Sequence, residues 1–168
     1  MNFRLKYKKA NAFMDIMMIV LVLLGMAILG LVANNMFKEL NDDIQADPDI
    51  GANVKTQTQT LKDGFPTWMD NAFLLATVLL WLFLIISSFV IDTHPAFFVV
   101  SLILLIFAFG VTMMLSNTFE ELTEDDEYAT GETDFPITFW IMDNLLLLII
   151  IMGGSILVTL YGKNKFVG

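Results

Sequence analysis

The chain has 168 residues, 57% of them hydrophobic and 16% charged, with a mean hydropathy of +0.70 and a formal net charge of −9. This composition excludes an ordinary soluble domain, and it argues against nucleic acid as a partner because there is no basic surface to neutralise phosphates. The absence of cysteine excludes disulfides, thiolate metal sites and a cysteine nucleophile.

The first apolar segment covers residues 12–34 and follows a short basic start. Residues 1–10 contain four cations and no acid. A basic start before an apolar run also describes a secretory signal peptide, and Leu31-Val32-Ala33 resembles a cleavage site. The apolar run is longer than a signal core of about 7–15 residues. We therefore expect a retained first transmembrane helix.

The first polar tract, residues 35–65, begins as a continuation of this helix. Apolar residues recur at helical spacing as far as Ile44, which predicts that helix one extends beyond the lipid. Proline and glycine in residues 47–51 then predict a break. Residues 54–60 are polar with weak alternation, and we assign them to a loop or a short extended piece.

Helix two is predicted over residues 66–91. Pro66 suits the first turn of a helix, and Asp63 and Gly64 before it are candidate caps. Residues 71–91 contain no Lys, Arg, Asp or Glu. About twenty apolar residues are enough to cross a hydrocarbon core of roughly 30 Å, so this segment is predicted to span a membrane.

Helix three is predicted over residues 95–115, and it follows helix two after a very short connection. Residues 96–115 are again free of Lys, Arg, Asp and Glu. The connection, residues 92–95, has room only for a tight turn, so we expect helices two and three to pack antiparallel along their length. His94 lies in this turn, and a lone histidine without nearby Cys or Glu is a poor metal site.

The second polar tract, residues 116–135, is strongly acidic. Phe119 and Leu122 continue the spacing of helix three and predict another projecting turn. The tract has no Lys or Arg and contains eight acids: Glu120, Glu121, Glu124, Asp125, Asp126, Glu127, Glu132 and Asp134. The first six are candidate partner-binding residues, although a solvated negative surface explains them too, and they lack the spaced ligands of a dedicated calcium loop. Helix four is predicted over residues 136–161.

These segments predict an all-α, polytopic membrane protein with four transmembrane helices in a single domain and a central tight hairpin. The distribution of cations predicts its orientation, since Lys and Arg are retained on the cytoplasmic side. Six cations lie on the two short tails, and three lie in the two polar tracts. We expect both termini on the cytoplasmic side, or inside a particle, and the acidic tracts on the outer side.

Two similar stretches occur at the starts of the predicted second and fourth helices. The stretch from Phe65 to Leu74 and the stretch from Phe135 to Leu146 both contain Phe-Pro, then Thr, Trp, Met-Asp-Asn and a leucine run. The second copy has three extra residues. This similarity could reflect duplicated two-helix halves. We favour the alternative that the two stretches arose independently and begin their helices in the same way. In both, Pro begins the helix, Trp lies at the lipid boundary and Asp meets the positive helix start.

Three acids fall within or beside the apolar segments and are the candidate interhelical or ion-path residues: Asp15, Asp70 and Asp143. An ionisable group within a membrane span is a candidate functional site by default. Asp70 follows Pro66 by four residues, which corresponds to headgroup depth at about 1.5 Å per residue. Asp143 is deeper in its predicted helix, and both a packing role and an ion-path role remain open for it.

Small residues are the candidate helix-packing positions. Gly153 and Gly154 lie deep in helix four, and Ala27, Gly30 and Asn34 fall on one face of helix one. Small side chains let helices approach closely in lipid, where the hydrophobic effect does not drive association. Such contacts serve packing within the four-helix unit or between subunits. No catalytic triad, phosphate loop or paired carboxylates occur, so the sequence indicates no enzyme, no cofactor and no small-molecule substrate.

Residues 89–98 and the following stretch to Met114-Leu115-Ser116-Asn117 resemble small membrane proteins of tailless icosahedral viruses with an internal lipid membrane. The resemblance covers roughly residues 80–120. It implies a virion membrane protein beneath a capsid, present in many copies, whose acidic face meets capsid or vertex proteins. The leading hypothesis is therefore a structural or interaction protein that contacts the bilayer, itself and other membrane or capsid proteins. The alternative is a small oligomeric pore, holin or ion-conducting protein that uses the intramembrane acids.

Overall fold

The computed structural model describes residues 12–90, 96–125, 128 and 130–166, and these residues form helices with no strand among them. The six helices are α1 (Ala12–Ala46), α2 (Ala52–Val90), α3 (Ala96–Thr123), α4 (Gly131–Asp134), α5 (Pro136–Asp143) and α6 (Leu145–Phe166). Three helices are long and apolar enough to cross a membrane, and α5 with α6 adds a fourth span if this bent pair counts as one. The described part of the chain is thus helical, and its apolar helices indicate an integral membrane protein.

The first polar tract forms a projecting helical hairpin. α1 continues to Ala46, as predicted, and α2 begins at Ala52 after a turn. The loop predicted at residues 54–60 was therefore wrong. This part of α2 packs against the end of α1, where the Phe37 and Phe65 ring centroids lie 4.8 Å apart. Contacts between distant residues thus stabilise a helix that local periodicity does not indicate.

Pro66 lies inside α2 rather than at its start, and Asp63 and Gly64 are interior residues rather than caps. Proline cannot donate the hydrogen bond that an interior residue normally gives to the carbonyl four residues earlier, at a cost of about 3 kcal/mol. The helix continues through Pro66 because residues on both sides of it pack against α1. Phe65 and Met69 lie among the partly buried residues that flank the hydrophobic core.

The main contacts between the long helices join α1 to α2, α3 to α6, α2 to α6 and α1 to α3. The antiparallel packing of helices two and three stays a prediction. The turn predicted at residues 92–95 lies outside the described residues.

The predicted fourth helix is broken into α5 and α6, which meet at Asn144 with a bend of 69°. The Asn144 side chain donates a hydrogen bond to the Trp140 carbonyl at 2.8 Å, and its backbone N–H donates to the same carbonyl at 3.1 Å. Asn71 makes the same side-chain contact inside unbroken α2, so this contact by itself does not cause the bend. α6 has 22 residues, but its last turns carry Lys163 and Lys165, so α5 and α6 together, rather than α6 alone, form the candidate span.

Candidate functional site

The structure gathers both polar tracts at one end of the bundle. Lys38 of α1 forms an ion pair with Asp134 of α4 at 2.6 Å, and Lys62 of α2 pairs with Asp42 of α1 at 3.2 Å. Asn41 donates to the Gln59 side chain at 3.1 Å. The two polar tracts, residues 35–65 and 116–135, therefore lie together at this end. We call their surface the acidic end.

Asp70 is the best-satisfied polar side chain near this end. It is 4% exposed, and its carboxylate accepts three hydrogen bonds from the start of α5. Oδ2 accepts from the backbone N–H of Ile137 at 3.0 Å. Oδ1 accepts from the backbone N–H and the hydroxyl of Thr138, both at 2.7 Å. The carboxylate of α2 thus caps the positive N-terminus of another helix.

The start of α5 explains why this cap is needed. The residue before the helix is Phe135, which has no side-chain acceptor, and Pro136 occupies the first turn without a donor of its own. The next two backbone N–H groups would remain unpaired in a buried position, which costs about 1–3 kcal/mol each. Asp70 removes this cost. The sequence predicts that Asp70 meets the start of its own helix, whereas it meets the start of a helix that begins 66 residues later in the chain.

A second polar cluster joins α1 to the α4 segment and consists of Asn34, Lys38, Thr130 and Asp134. Asp134 Oδ2 accepts hydrogen bonds from Asn34 Nδ2 at 2.8 Å, Lys38 Nζ at 2.6 Å and Thr130 Oγ1 at 3.2 Å. Lys38 Nζ also lies 2.7 Å from Thr130 Oγ1. Asn34 Oδ1 is buried without a hydrogen-bond partner among the described residues. One of the eight acids of the second tract is therefore neutralised within the chain.

Gly131 brings this segment close to the bundle. A Cβ at Gly131 would lie 2.8 Å from Leu31 Cδ2 and 2.9 Å from Phe139 Cζ, closer than real Cβ contacts allow. Only glycine fits this approach without a shift of its neighbours. Sequence analysis did not select Gly131, since a glycine in an acidic tract is indistinguishable from an ordinary loop glycine.

The other two candidate acids have a different environment from Asp70. Asp15 is half-buried in the first turn of α1, and Asp143 is exposed at the last residue of α5. Neither has a hydrogen bond or an ion pair with another described residue. The structure therefore brings Asp70 into an interhelical contact and leaves Asp15 and Asp143 outside it.

The candidate packing residues also differ from one another. Ala27 is buried in the core, and Gly30 contacts Met69 of α2, with an added Cβ at 3.4 Å from Met69 Cγ. A Cβ on Gly153 would overlap Leu105 Cδ1 of α3, whereas Gly154 has open space around it. Small residues thus allow close approach of α1 to α2 and of α3 to α6.

Acids outnumber lysines in the two polar tracts. The three lysines of the polar tracts are engaged within the chain, because Lys38 and Lys62 form ion pairs and Lys55 donates to the Gln45 carbonyl at 2.9 Å. The candidate partner-binding residues Glu120, Glu121, Glu124 and Asp125 are exposed, and Asp126 and Glu127 lie outside the described residues. The acidic end can therefore attract a cationic partner by charge.

Within the described residues, no group of three or more His, Cys, Asp or Glu side chains could hold a metal ion. His94 lies outside those residues. No family model, curated protein or solved structure matches the chain.

Proposed function

We propose that this chain is a structural interaction protein of a membrane, which binds cationic surfaces of neighbouring proteins through its acidic end. The observation that carries the proposal is the charge of that end. Fourteen acids and three lysines lie in residues 35–65 and 116–135, and the lysines are engaged within the chain. An excess of acid on one surface steers and orients basic partners.

The resemblance of residues 80–120 to membrane proteins of internal-membrane viruses suggests the kind of partner. In a virion the acidic end would face outward from the membrane, toward capsid or vertex proteins, and the termini would face the interior. Contacts between helices support this role, because Asp70, Gly131 and the Lys38–Asp134 pair hold the α4–α5 segment against the bundle.

Zero-length carbodiimide cross-linking of purified native particles tests this proposal, because the reagent joins carboxylates directly to lysine amines. We expect cross-links from Glu120, Glu121 and Glu124 to lysines of outer-shell proteins, and a copy number comparable to that of shell components. Absence of the chain from the particles, or cross-links confined to its own lysines, would refute the proposal.

A charge variant provides the matched control. Replacing Glu120, Glu121 and Glu124 together by Gln should weaken association with the outer proteins and reduce its dependence on salt, since the Debye length is about 10 Å at 0.1 M. Replacing Asp47 and Asp49 by Asn removes exposed charges from the far turn of the α1–α2 hairpin. This second variant should associate more nearly like the parent protein. Equal association of all three proteins at low and high salt would refute charge recognition by Glu120, Glu121 and Glu124.

A further inference from the structure

One face of α2 carries an exposed apolar stripe with a strict seven-residue interval. Its side chains are between 47% and 69% exposed, and they follow the helix from its start to its end: Val54, Leu61, Trp68, Leu75, Leu82 and Phe89. We call this set the α2 stripe. An interval of seven keeps one face of a helix in contact with a partner helix when the two form a left-handed supercoil.

The α2 stripe continues beyond the region that lipid can cover. An exposed Trp is typical of the membrane–water boundary, which Trp68 marks on this helix. At about 1.5 Å per residue, Leu61 lies roughly 10 Å and Val54 roughly 21 Å from Trp68 along the axis, in the projecting hairpin. Lipid can therefore cover Leu75 and the residues after it. Lipid cannot cover Val54. Because the seven-residue interval continues from Val54 to Phe89 without interruption, we infer that one partner helix covers the whole face.

The charges of α2 lie on its other faces. Lys55 and Lys62 contact α1, and Asp70 contacts α5. Asp63 accepts hydrogen bonds from Gln59 and lies on the side opposite Leu61, about 200° away around the helix. The residues three positions after each of the first five members lie on the same face and are uncharged as well: Gln57, Gly64, Asn71, Val78 and Ile85. Gly64 has open space around it. A neutral strip thus crosses the acidic end.

We propose that the α2 stripe pairs with the same stripe of a second copy of this chain. Two copies inserted in the same orientation are related by a two-fold axis along the membrane normal, so each member of the stripe meets its own counterpart. The neutral strip lets two acidic ends approach without opposed carboxylates at the contact. A partner recognised by charge would bind the acids instead. The space at Gly64 allows the two helix backbones to come close.

Cysteine cross-linking tests this pairing directly, because the natural sequence contains no cysteine. Single variants Val54→Cys and Leu61→Cys of the full chain are reconstituted in phosphatidylcholine vesicles and oxidised. The matched controls are Thr56→Cys and Asp63→Cys, which are exposed at similar heights on the opposite face. We expect both stripe variants to form a covalent dimer at least tenfold faster than the controls, and excess cysteine-free chain to suppress it. Equal rates at the four positions would overturn the proposal.

A charge placed in the stripe supplies a second measurement. Leu61→Glu puts two carboxylates opposite each other across the two-fold axis, whereas Thr56→Glu adds the same charge on the other face. Single-molecule photobleaching in dilute vesicles should show mostly two-step traces for the parent chain and Thr56→Glu, and at least a tenfold lower dimer-to-monomer ratio for Leu61→Glu. A monomeric parent chain, or an unaffected Leu61→Glu dimer, would overturn the pairing. These outcomes do not depend on which protein the acidic end binds.

Discussion

The two Phe-Pro-containing stretches resemble each other in sequence and differ in what their residues contact. In both, the tryptophan is exposed, 69% at Trp68 and 61% at Trp140. In both, the asparagine side chain donates to the carbonyl four residues earlier at 2.8 Å, from Asn71 in one and Asn144 in the other. These shared contacts are local, and short sequences determine them.

The prolines and aspartates of the two stretches differ because their contacts are not local. Pro66 lies inside a long helix, and Pro136 begins a short one. Asp70 is buried against the start of the other stretch, and Asp143 is exposed. The contact is one-sided, since the first stretch caps the second without a reciprocal bond from Asp143. Similar sequences therefore take complementary roles here rather than equivalent ones.

Replacing the two aspartates is the sharpest test of this difference and has the largest expected effect. Asp70→Ala leaves two backbone N–H groups and one hydroxyl unpaired in a buried position, and it should lower the free energy of unfolding by about 3 kcal/mol. Asp143→Ala should change it by less than about 0.5 kcal/mol because that side chain is exposed and makes no such contact. Unfolding in detergent micelles, followed by circular dichroism, measures both values.

Asp70→Asn separates the charge from the shape of the cap. The amide keeps one acceptor oxygen and loses the other, so the loss should lie between those of the parent and Asp70→Ala. Equal stability of Asp70→Ala and Asp143→Ala would contradict the capping of α5 by Asp70. An Asp70→Ala variant as stable as the parent would show that the start of α5 finds other acceptors.

Adjacent glycines of α6 provide a smaller contrast of the same kind. Gly153→Ala forces Leu105 of α3 to move and should cost about 1–2 kcal/mol through overpacking. Gly154→Ala meets open space and should be neutral or stabilise α6 by up to about 1 kcal/mol, since alanine favours a helix over glycine. The same unfolding measurement distinguishes them. Equal effects would mean that α3 and α6 do not approach closely at Gly153.

Sequence reasoning succeeded where the determining forces are local. Long apolar runs predicted helices able to cross a membrane, and apolar spacing predicted that helix one continues past Met36 and helix three past Phe119. The position of Trp68 and Trp140 at the lipid boundary stays a prediction, which their exposed side chains permit.

It failed where a distant contact decides the structure. Nothing near Pro66 indicates a helix on both sides of it, since the stabilising partner is the end of α1. The cap of α5 lies 66 residues before Pro136, and the break at Asn144 interrupts an apolar run of uniform character.

The smallest expected effect belongs to Asp143→Asn, and it separates the structural hypothesis from the conducting one. Asp143 ends α5 just before the 69° bend. Exposed Trp140 lies three residues before Asp143, and exposed tryptophan favours the membrane–water boundary, so we expect Asp143 near the membrane surface, where a carboxylate costs little. We expect a change below about 0.5 kcal/mol in unfolding free energy.

The same variant should leave potassium flux from loaded phosphatidylcholine vesicles unchanged, at the background level of empty vesicles. A pore would need carboxylates facing a watery path, where their charge selects cations. Asp70 cannot supply that charge, since both of its oxygens are engaged by α5. Asp143 is therefore the acid near the outer surface on which a conducting role depends. A cation current in the parent chain that Asp143→Asn abolishes, with the fold intact, would reverse the assignment and make the exposed aspartate the functional member of the pair.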